Sequence, residues 1–408
     1  MRDVFVVGTG MTRFARHPDK THQQLTADAV REALVDAGGT PADIDMAFYS
    51  SVAQGMLFQQ CVVLGQFALR PLGFEGTPIV NVENACASSS SGFNLAFSQV
   101  ASGISDAVLV VGTEKLFSDD KQRRMSMFQQ EPDLREAAAF MQRNAALLKE
   151  RPQEFEATEP GSALMDSYSA QARLHMAQFG TTQRQLAAIA AKNHHHSEHN
   201  PLSQYNNVMS IDDVLAARSV SWPLTVPMCA PISDGSAAAI ICSRDALHRF
   251  PNAEPVRVLA SIMQGGRDRD VLDFQKQAAR LAARRAYEMA GLGPEDVDVV
   301  EVHDASAMGE LTEVEALGLC ALGEGGPFAE SGATSLGGKV PVNPSGGLES
   351  RGHPLAATGM AQIHELANQL RGRCGRRQVP SARIAVAENG GGFIHNEGAV
   401  VLVTILSA

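Results

Sequence analysis

The feature that most constrains this 408-residue chain is that it repeats itself. Residues 25–50, LTADAVREALVDAGGTPADIDMAFYS, resemble residues 277–303, QAARLAARRAYEMAGLGPEDVDVVEVH. Both read as an alanine-rich amphipathic helix, then Ala-Gly, a proline turn, an acidic pair and an apolar strand. Pro41 and Asp45 match Pro294 and Asp298 at a constant offset of 253 residues. A second pair of segments matches as well: CASSSSGFNLAFSQVASG from Cys86 parallels HPLAATGMAQIHELANQLRG from His353. With Gly92 laid on Gly359 the offset is 267, and the same offset sets Cys86 opposite His353. Each half closes on an apolar strand, GSAAAIIC from Gly235 and GAVVLVTIL from Gly398. Strands alternating with helices bury their apolar faces as mixed or parallel sheets covered by helices. The expected fold class is therefore α/β in two pseudo-symmetric halves.

The halves run over 1–253 and 254–408, and the first is longer by 98 residues. The excess lies between the strand DAVLVVGTE (106–114) and about Val220, with helical patches such as LREAAAFMQRNAALL and TTQRQLAAIAAKN. A mainly helical loop domain inserted over about 115–220 is expected, a natural cover for a substrate. Two domains of ordinary size also suit the length. Hydrophobic content of 44% and charged content of 19% describe a soluble globular protein. The net charge of −11 argues against nucleic acid, which selects basic surfaces, while an anionic small molecule stays open to a local basic patch. Six cysteines are scattered with no C-x-x-C pair, which fits reduced thiols rather than a zinc ribbon or disulfide framework. No run reaches membrane-spanning length, MRDVFVVGTGMTRF holds too short an apolar run for a signal peptide, and VTILSA is no Ser-Lys-Leu address. The expected location is the cytoplasm, with no membrane partner.

Cys86 stands between the strand TPIVNVE and a helix opened by small residues. A free cysteine is ordinarily inert packing. At a helix mouth, however, the dipole favours thiolate and free backbone N–H groups can stabilise an oxyanion, so Cys86 is a candidate nucleophile. His353, in ESRGHPLAATG, is its twin in the repeat; two equivalent helix mouths facing across a pseudo-twofold axis would bring an imidazole to the thiol as its base. His303, in VVEVHDASAMGELTEVEAL, ends an apolar strand, where ligands gather in α/β sheets. Asp304 beside it either orients a group or caps the next helix. The cluster ENGGGFIHNEG (388–398) reads as a tight turn, or as a backbone loop that offers N–H groups to a reacting carbonyl, with Gly391 and Gly392 inside it and Glu388 and Asn389 at its flank.

Other motifs carry less. NHHHSEHN (193–200) packs four histidines, yet only His195 or His196 shares a helix face with His199 and no H-E-x-x-H is present, so no metal is expected. VVGTGMTR lacks the third glycine of a dinucleotide fold, and no phosphate-binding P-loop occurs. In DDKQRRMSM (119–127), Lys121, Arg123 and Arg124 either form a solvated face or meet phosphates.

Taken together, NACASSSSG, KNHHHSEHNPLSQY, CAPISDGSAAAI, EVHDASAMGELTEVEALGLC and VNPSGGLESRGHPLAATGMAQ resemble the thiolase superfamily, nearly end to end, and most of all sterol carrier protein X-type thiolases and their bacterial and archaeal relatives. The resemblance implies two βαβαβαββ-type halves in a five-layered αβαβα core, and a loop domain that binds coenzyme A as a substrate, with no tightly bound cofactor. It implies a homodimer, often a tetramer. It also implies that Cys86 takes the acyl group, that His353 of the Gly-His-Pro motif activates it, and that His303 helps hold the thioester oxygen. Ser233, in the SDG turn, falls near the expected pantetheine tunnel.

Two departures divide the expected chemistry. Thiolases place a second cysteine either in a C-terminal Cys-x-Gly loop or in a His-Asp-Cys-Phe motif. Here the first reads ENGGG and the second His303-Asp304-Ala305-Ser306, so neither position holds a thiol. Thioester formation needs only Cys86 and His353. Moving the α-proton needs another group, for which Glu388 in a dry pocket, or His303, is the candidate. The expected function is a thiolase-type acyltransferase acting on acyl-CoA and CoA. The alternatives are a retro-aldol lyase working with a small OB-fold partner, and a non-catalytic subunit.

Overall fold

The computed structural model describes residues 1–118, 120, 163–270, 273–394 and 397–408. Its strands are β1 (Val4–Met11), β2 (Met46–Ser50), β3 (Ile79–Val82), β4 (Ala107–Glu114), β5 (Ser219–Ser221), β6 (Leu224–Thr225), β7 (Gly235–Ser243), β8 (Val256–Gly265), β9 (Val299–Glu301), β10 (Ile384–Ile394) and β11 (Glu397–Ser407). Nine of them form one ladder in the order β3-β2-β4-β7-β1-β8-β11-β10-β9. The ladder is two half-sheets joined where β1 meets β8 antiparallel over Val4–Val6. Outward from that seam both halves follow one pattern: an antiparallel neighbour (β7 or β11), an antiparallel third strand (β4 or β10), then a parallel fourth (β2 or β9). Beyond β2 lies the parallel strand β3, and beyond β9 a parallel bridge from Val300 to Val342 holds the same place. The repeat in the sequence is thus a repeat in space.

The helices form where the periodicity placed them. His22–Ala37 opens on a Thr21/Gln24 capping box and closes on Gly38 with a left-handed φ of 73°. Its counterpart, Ala278–Ala290, closes on Gly291 in the same way. Each is followed by a 3-10 turn at the matched prolines, Pro41–Asp43 and Pro294–Asp296. The matched aspartates also do one job. Asp45 accepts the N–H groups of Asp106 and Ala107 at the start of β4, and Asp298 those of Arg383 and Ile384 at the start of β10.

Strand residues alternate between two cores, so both faces of each half-sheet are buried. On β4, Val108 and Val110 enter the central core while Leu109 and Val111 enter an outer one. On β10, Ala385 and Ala387 turn inward and Val386 outward. The helices Ser88–Ser102 and Thr358–Leu370 fill the space between the half-sheets, while His22–Ala37 and Ala278–Ala290 cover their outer faces. That is the five-layered αβαβα arrangement. The G-x-G of VVGTGMTR serves packing: a Cβ on Gly8 or Gly10 would lie 2.3 Å from Ala33 O or 2.2 Å from Ala29 O, so only glycine lets β1 lie against that helix.

In the stretch after β4, TTQRQLAAIAAKN forms the helix Gln183–Ser197 behind its own capping box. LREAAAFMQRNAALL and the basic residues Lys121, Arg123 and Arg124 lie outside the described residues. No helix among the described residues is long and apolar enough to cross a membrane.

Candidate active site

The two central helices aim their N-termini at one another across the pseudo-twofold axis, and the residues just before them meet. Cys86 follows Ala85, whose φ is 47°, and His353 follows Gly352, whose φ is 110°. Each key side chain is therefore presented from a left-handed backbone step, strained in the case of alanine. His353 Nε2 lies 3.2 Å from Cys86 Sγ. On its other side Nδ1 lies 2.7 Å from Thr358 Oγ1, whose own hydroxyl hydrogen is directed to the Pro354 carbonyl. In the tautomer with Nδ1–H donating to Thr358, the Nε2 lone pair faces the thiol, the arrangement a base needs.

His303 completes the group from the end of β9. Its ring stands edge-on to His353 with 5.3 Å between centroids, and its Nε2 is buried without a partner. Burial lowers its pKa to about 4, and burial, then His303 and Arg351, holds His353 well below the ordinary range. Both rings are neutral at physiological pH. Donor atoms of Cys86, His303 and His353 lie within 4.8 Å of one another. That convergence suits a soft cation as well as a thiol and its base.

Glu388 lies under His303: its Oε2 accepts the His303 N–H at 3.0 Å, and its Oε1 is buried with no partner. A Cβ on Gly390 would be 3.5 Å from His303 Nδ1 and 3.9 Å from Glu388 Oε1, so both groups border one point on the cavity wall. Burial raises the Glu388 pKa to about 8, opposed by the His303 N–H.

Of the residues read as ligand contacts, Ser233 and Asn389 bond to the chain around His353 and Cys86, and Gly391 and Gly392 line the cavity. Ser233 accepts the His353 N–H at 2.9 Å and donates to Gln204 Oε1 at 2.6 Å, and it is fully buried. Its hydroxyl ties the His353 backbone to Gln204. The Asn389 amide donates to Cys86 O and to Ser90 Oγ, gripping the turn that carries the thiol. Gly391 lines the cavity, and a Cβ there would sit 2.2 Å from Asn84 O, so it is the glycine that allows β10 to touch the Cys86 turn. Gly392, at φ 63°, lines the same cavity. The helix mouth offers no free donors at Ala87 and Ser88, whose N–H groups turn back to Asn84 and Ala85 carbonyls. Arg124 lies outside the described residues.

Asp304 caps, but not the helix that follows it. Ser306 caps that one, while Asp304 accepts from Leu348 and Glu349 N–H at the start of Gly347–Arg351. Asn193 donates to Asp304, Glu310 and Glu349, and Lys192 pairs with Glu310. This polar layer braces the site from the histidine-rich helix. Two of the histidines there are structural: His194 bonds Asn207 O, and His196 bonds Asn343 O and accepts the Leu336 N–H. Sequence reasoning missed Asn193, Lys192 and Glu310; their only signal was polar residues recurring on otherwise apolar helix faces.

Two cavities meet at this group. One of about 70 Å³ is lined by Cys86, His303, Glu313, Arg269 and the glycines of β10. Another of about 170 Å³, mostly apolar, is lined by His353, Leu355, Ile232, Cys229 and Met165. Ala305 borders both, so a methyl group stands at the junction where a thiol was sought. Cys229 borders the apolar cavity, but its thiol turns to Thr225 O, and burial with Glu349 nearby pushes its pKa far up.

Comparison with known proteins gives the family and the fold. The family profile "Thiolase, N-terminal domain" matches residues 4–213, and "Thiolase C-terminal domain-like" matches 265–404. An "Acetyl-CoA acetyltransferase" of Methanothermobacter thermautotrophicus is 36% identical over 96% of this chain and 97% of its own. "Sterol carrier protein 2" of Bos taurus is 35% identical over 98% of this chain and 72% of its own. Among solved structures, an "Ltp2-ChsH2(DUF35) aldolase" superposes with a TM-score of 0.79 at 21% identity, covering 100% of this chain and 98% of that one. Human mitochondrial 3-ketoacyl-CoA thiolase gives 0.69 at 18%, covering 100% and 99%.

Proposed function

The chain belongs to the thiolase family, and on that premise we propose that it is an acyltransferase that carries an acyl group on Cys86 between CoA thioesters. The observation that carries the reading is the 3.2 Å approach of His353 Nε2 to Cys86 Sγ. In the first half-reaction His353 takes the thiol proton and the thiolate adds to the thioester carbonyl. The carbon–sulfur bond to CoA then breaks, and the departing CoA sulfur regains the proton from His353. The neutral Nε2 of His303 stands beside this centre, able to donate to the thioester oxygen in the appropriate tautomer.

The second half-reaction needs a proton acceptor at the α-carbon of an incoming acyl-CoA. Glu388 takes this role in place of the absent second cysteine: it is wholly buried, half-satisfied, and has a pKa near the operating pH. In the condensing direction the carbanion attacks the Cys86 thioester and the sulfur leaves. In the cleaving direction Glu388 returns the proton to the carbanion. Relatives named as an acetyltransferase and a sterol carrier protein support the class. A second reading, a lyase acting with a small partner subunit, draws on the likeness to the Ltp2-ChsH2(DUF35) aldolase, whose name joins two proteins. The Cys86–His353 pair favours acyl transfer, because a lyase has no use for an acyl acceptor. A second copy of the chain is the expected partner at the sheet edge, where β3 ends the ladder and Phe67, Val62 and Val80 are exposed.

The test is mass spectrometry of the pure protein after incubation with acetyl-CoA. An acetyl adduct on Cys86, absent from Cys86→Ala, is the expected result. No adduct, together with cleavage of a 3-hydroxyacyl-CoA, would replace this reading with the lyase.

A further inference from the structure

The mechanism leaves one buried group in the smaller cavity unused. Glu313 projects from the helix Ala307–Ala316, eight residues beyond Ala305 at the cavity junction, and its Oε2 is buried without a partner. His303, only 8% exposed, presents a second unpartnered atom, Nε2, in the same cavity. The remaining strong charges there satisfy each other. Arg269 Nε donates to Glu397 Oε2, and Glu397 Oε1 accepts the Ala278 N–H at 3.0 Å. A ligand entering beside Cys86 therefore finds His303 and Glu313 as groups in want of partners.

We propose that this cavity selects a short acyl chain bearing a neutral hydroxyl group, which Glu313 holds while the chain's carbonyl is bonded to Cys86. The inference rests on the reading of Cys86 as the acyl acceptor. Size sets the first limit. At about 15 Å³ per water-sized site, 70 Å³ holds roughly five atoms beyond the carbonyl. Charge sets the second. Burial, then the neighbouring Glu388 and Glu397, holds the Glu313 carboxyl well above the usual carboxylate range, which favours its protonated form. A protonated carboxyl both donates and accepts, and a hydroxyl complements both roles. A plain alkyl chain leaves Oε2 buried and unpaired. An anionic chain end adds a charge beside Glu313, Glu388 and Glu397, against which Arg269 alone stands among the described lining residues.

Three probes test it on the full chain: 5-hydroxypentanoyl-CoA, pentanoyl-CoA and glutaryl-CoA, with the rate of adduct formation on Cys86 read by mass spectrometry. The hydroxylated chain should react roughly tenfold or more faster than pentanoyl, with glutaryl slowest. Glu313→Leu should invert the order of the first two, and Glu313→Gln, which keeps a donor and an acceptor, should retain the hydroxyl preference. Equal rates in the wild type, or a preference untouched by Glu313→Leu, would overturn the inference. So would a wild type that accepts acetyl but none of the three longer chains. Failure with every thioester, acetyl included, would instead remove the reading of Cys86 on which it rests.

Discussion

Two buried glutamates on twin strands can be set side by side. Glu114 ends β4 and Glu388 lies in β10, its structural counterpart, and both are wholly buried. Glu114 accepts four hydrogen bonds, from Val52, Ala53 and Ala356 N–H and Ser51 Oγ, at 3.0–3.3 Å. Glu388 accepts the His303 N–H alone and keeps Oε1 unpartnered. Burial pushes both upward, Glu114 to about 7 and Glu388 to about 8. A saturated carboxylate is a clamp between chain segments; a half-satisfied one holds an oxygen ready for a proton. The fold thus carries its own control for the proposed acid/base group.

The largest effect that separates the two is on rate. Glu388→Gln should lower the carbon–carbon bond step by about 10²–10⁴-fold, while the acetyl adduct on Cys86 still forms. Steady-state thiolysis measured beside adduct mass reads both. Full thiolysis in this variant would make the two glutamates equivalent and abolish the contrast. Glu114→Gln should do the reverse. Its amide turns N–H toward donors in a buried site, at a cost of roughly 2–4 kcal/mol in a denaturant melt. Turnover per folded molecule should stay within about twofold if only the clamp is lost.

The pH dependence sharpens the same contrast. Folding raises Glu388 from 4.5 to about 8, so the folded state holds this proton more tightly than the unfolded one. Its contribution is present below the unfolded value and is lost as pH rises toward 8. Glu114 acts in the same direction over a window that ends near 7. Thermal melts of the wild type should therefore fall between pH 5 and pH 8, and Glu388→Gln should flatten the upper part of that fall. Condensing activity should move oppositely, rising as Glu388 ionises through about 8, whereas thiolysis, which draws on its proton, should fall there. His303 is neutral above about 4 and adds no step to either. A stability curve unchanged by the substitution would place the titration elsewhere.

What the sequence showed of this site follows from what internal repetition can report. The offset of 267 that set Cys86 on His353 became a 3.2 Å contact, because two copies of one unit packed about an axis bring equivalent points together. The proline turns and the strand-capping aspartates were legible for the same reason. Features present in one copy only were not. Glu313 falls opposite Gln60 at the 253-residue offset, so symmetry is silent on it. Ser233, Asn389 and Asp304 were assigned by neighbourhood, yet their partners lie 120, 303 and 44 residues away. Which way a polar side chain turns was decided by those distant donors, and local pattern holds no record of them.

The smallest predicted effect tests the symmetry itself. Asp45 and Asp298 each accept two strand-opening N–H groups, at 2.8 and 2.9 Å and at 2.7 and 2.8 Å respectively. Replacing either with alanine should cost about 1–3 kcal/mol, since the same two donors lose their acceptor in each half. The copies differ in one respect: Asp45 also meets Arg249 at 3.1 Å in a partly exposed pair, and no cation pairs with Asp298 among the described residues. An exposed pair of this kind adds about 0.2–1 kcal/mol and is screened by salt. Asp45→Ala should therefore exceed Asp298→Ala by that small margin in dilute buffer, and the two should converge at about 1 M salt. A gap that persists at high salt would mean that the twin aspartates, alike in geometry, anchor half-sheets of unequal stability.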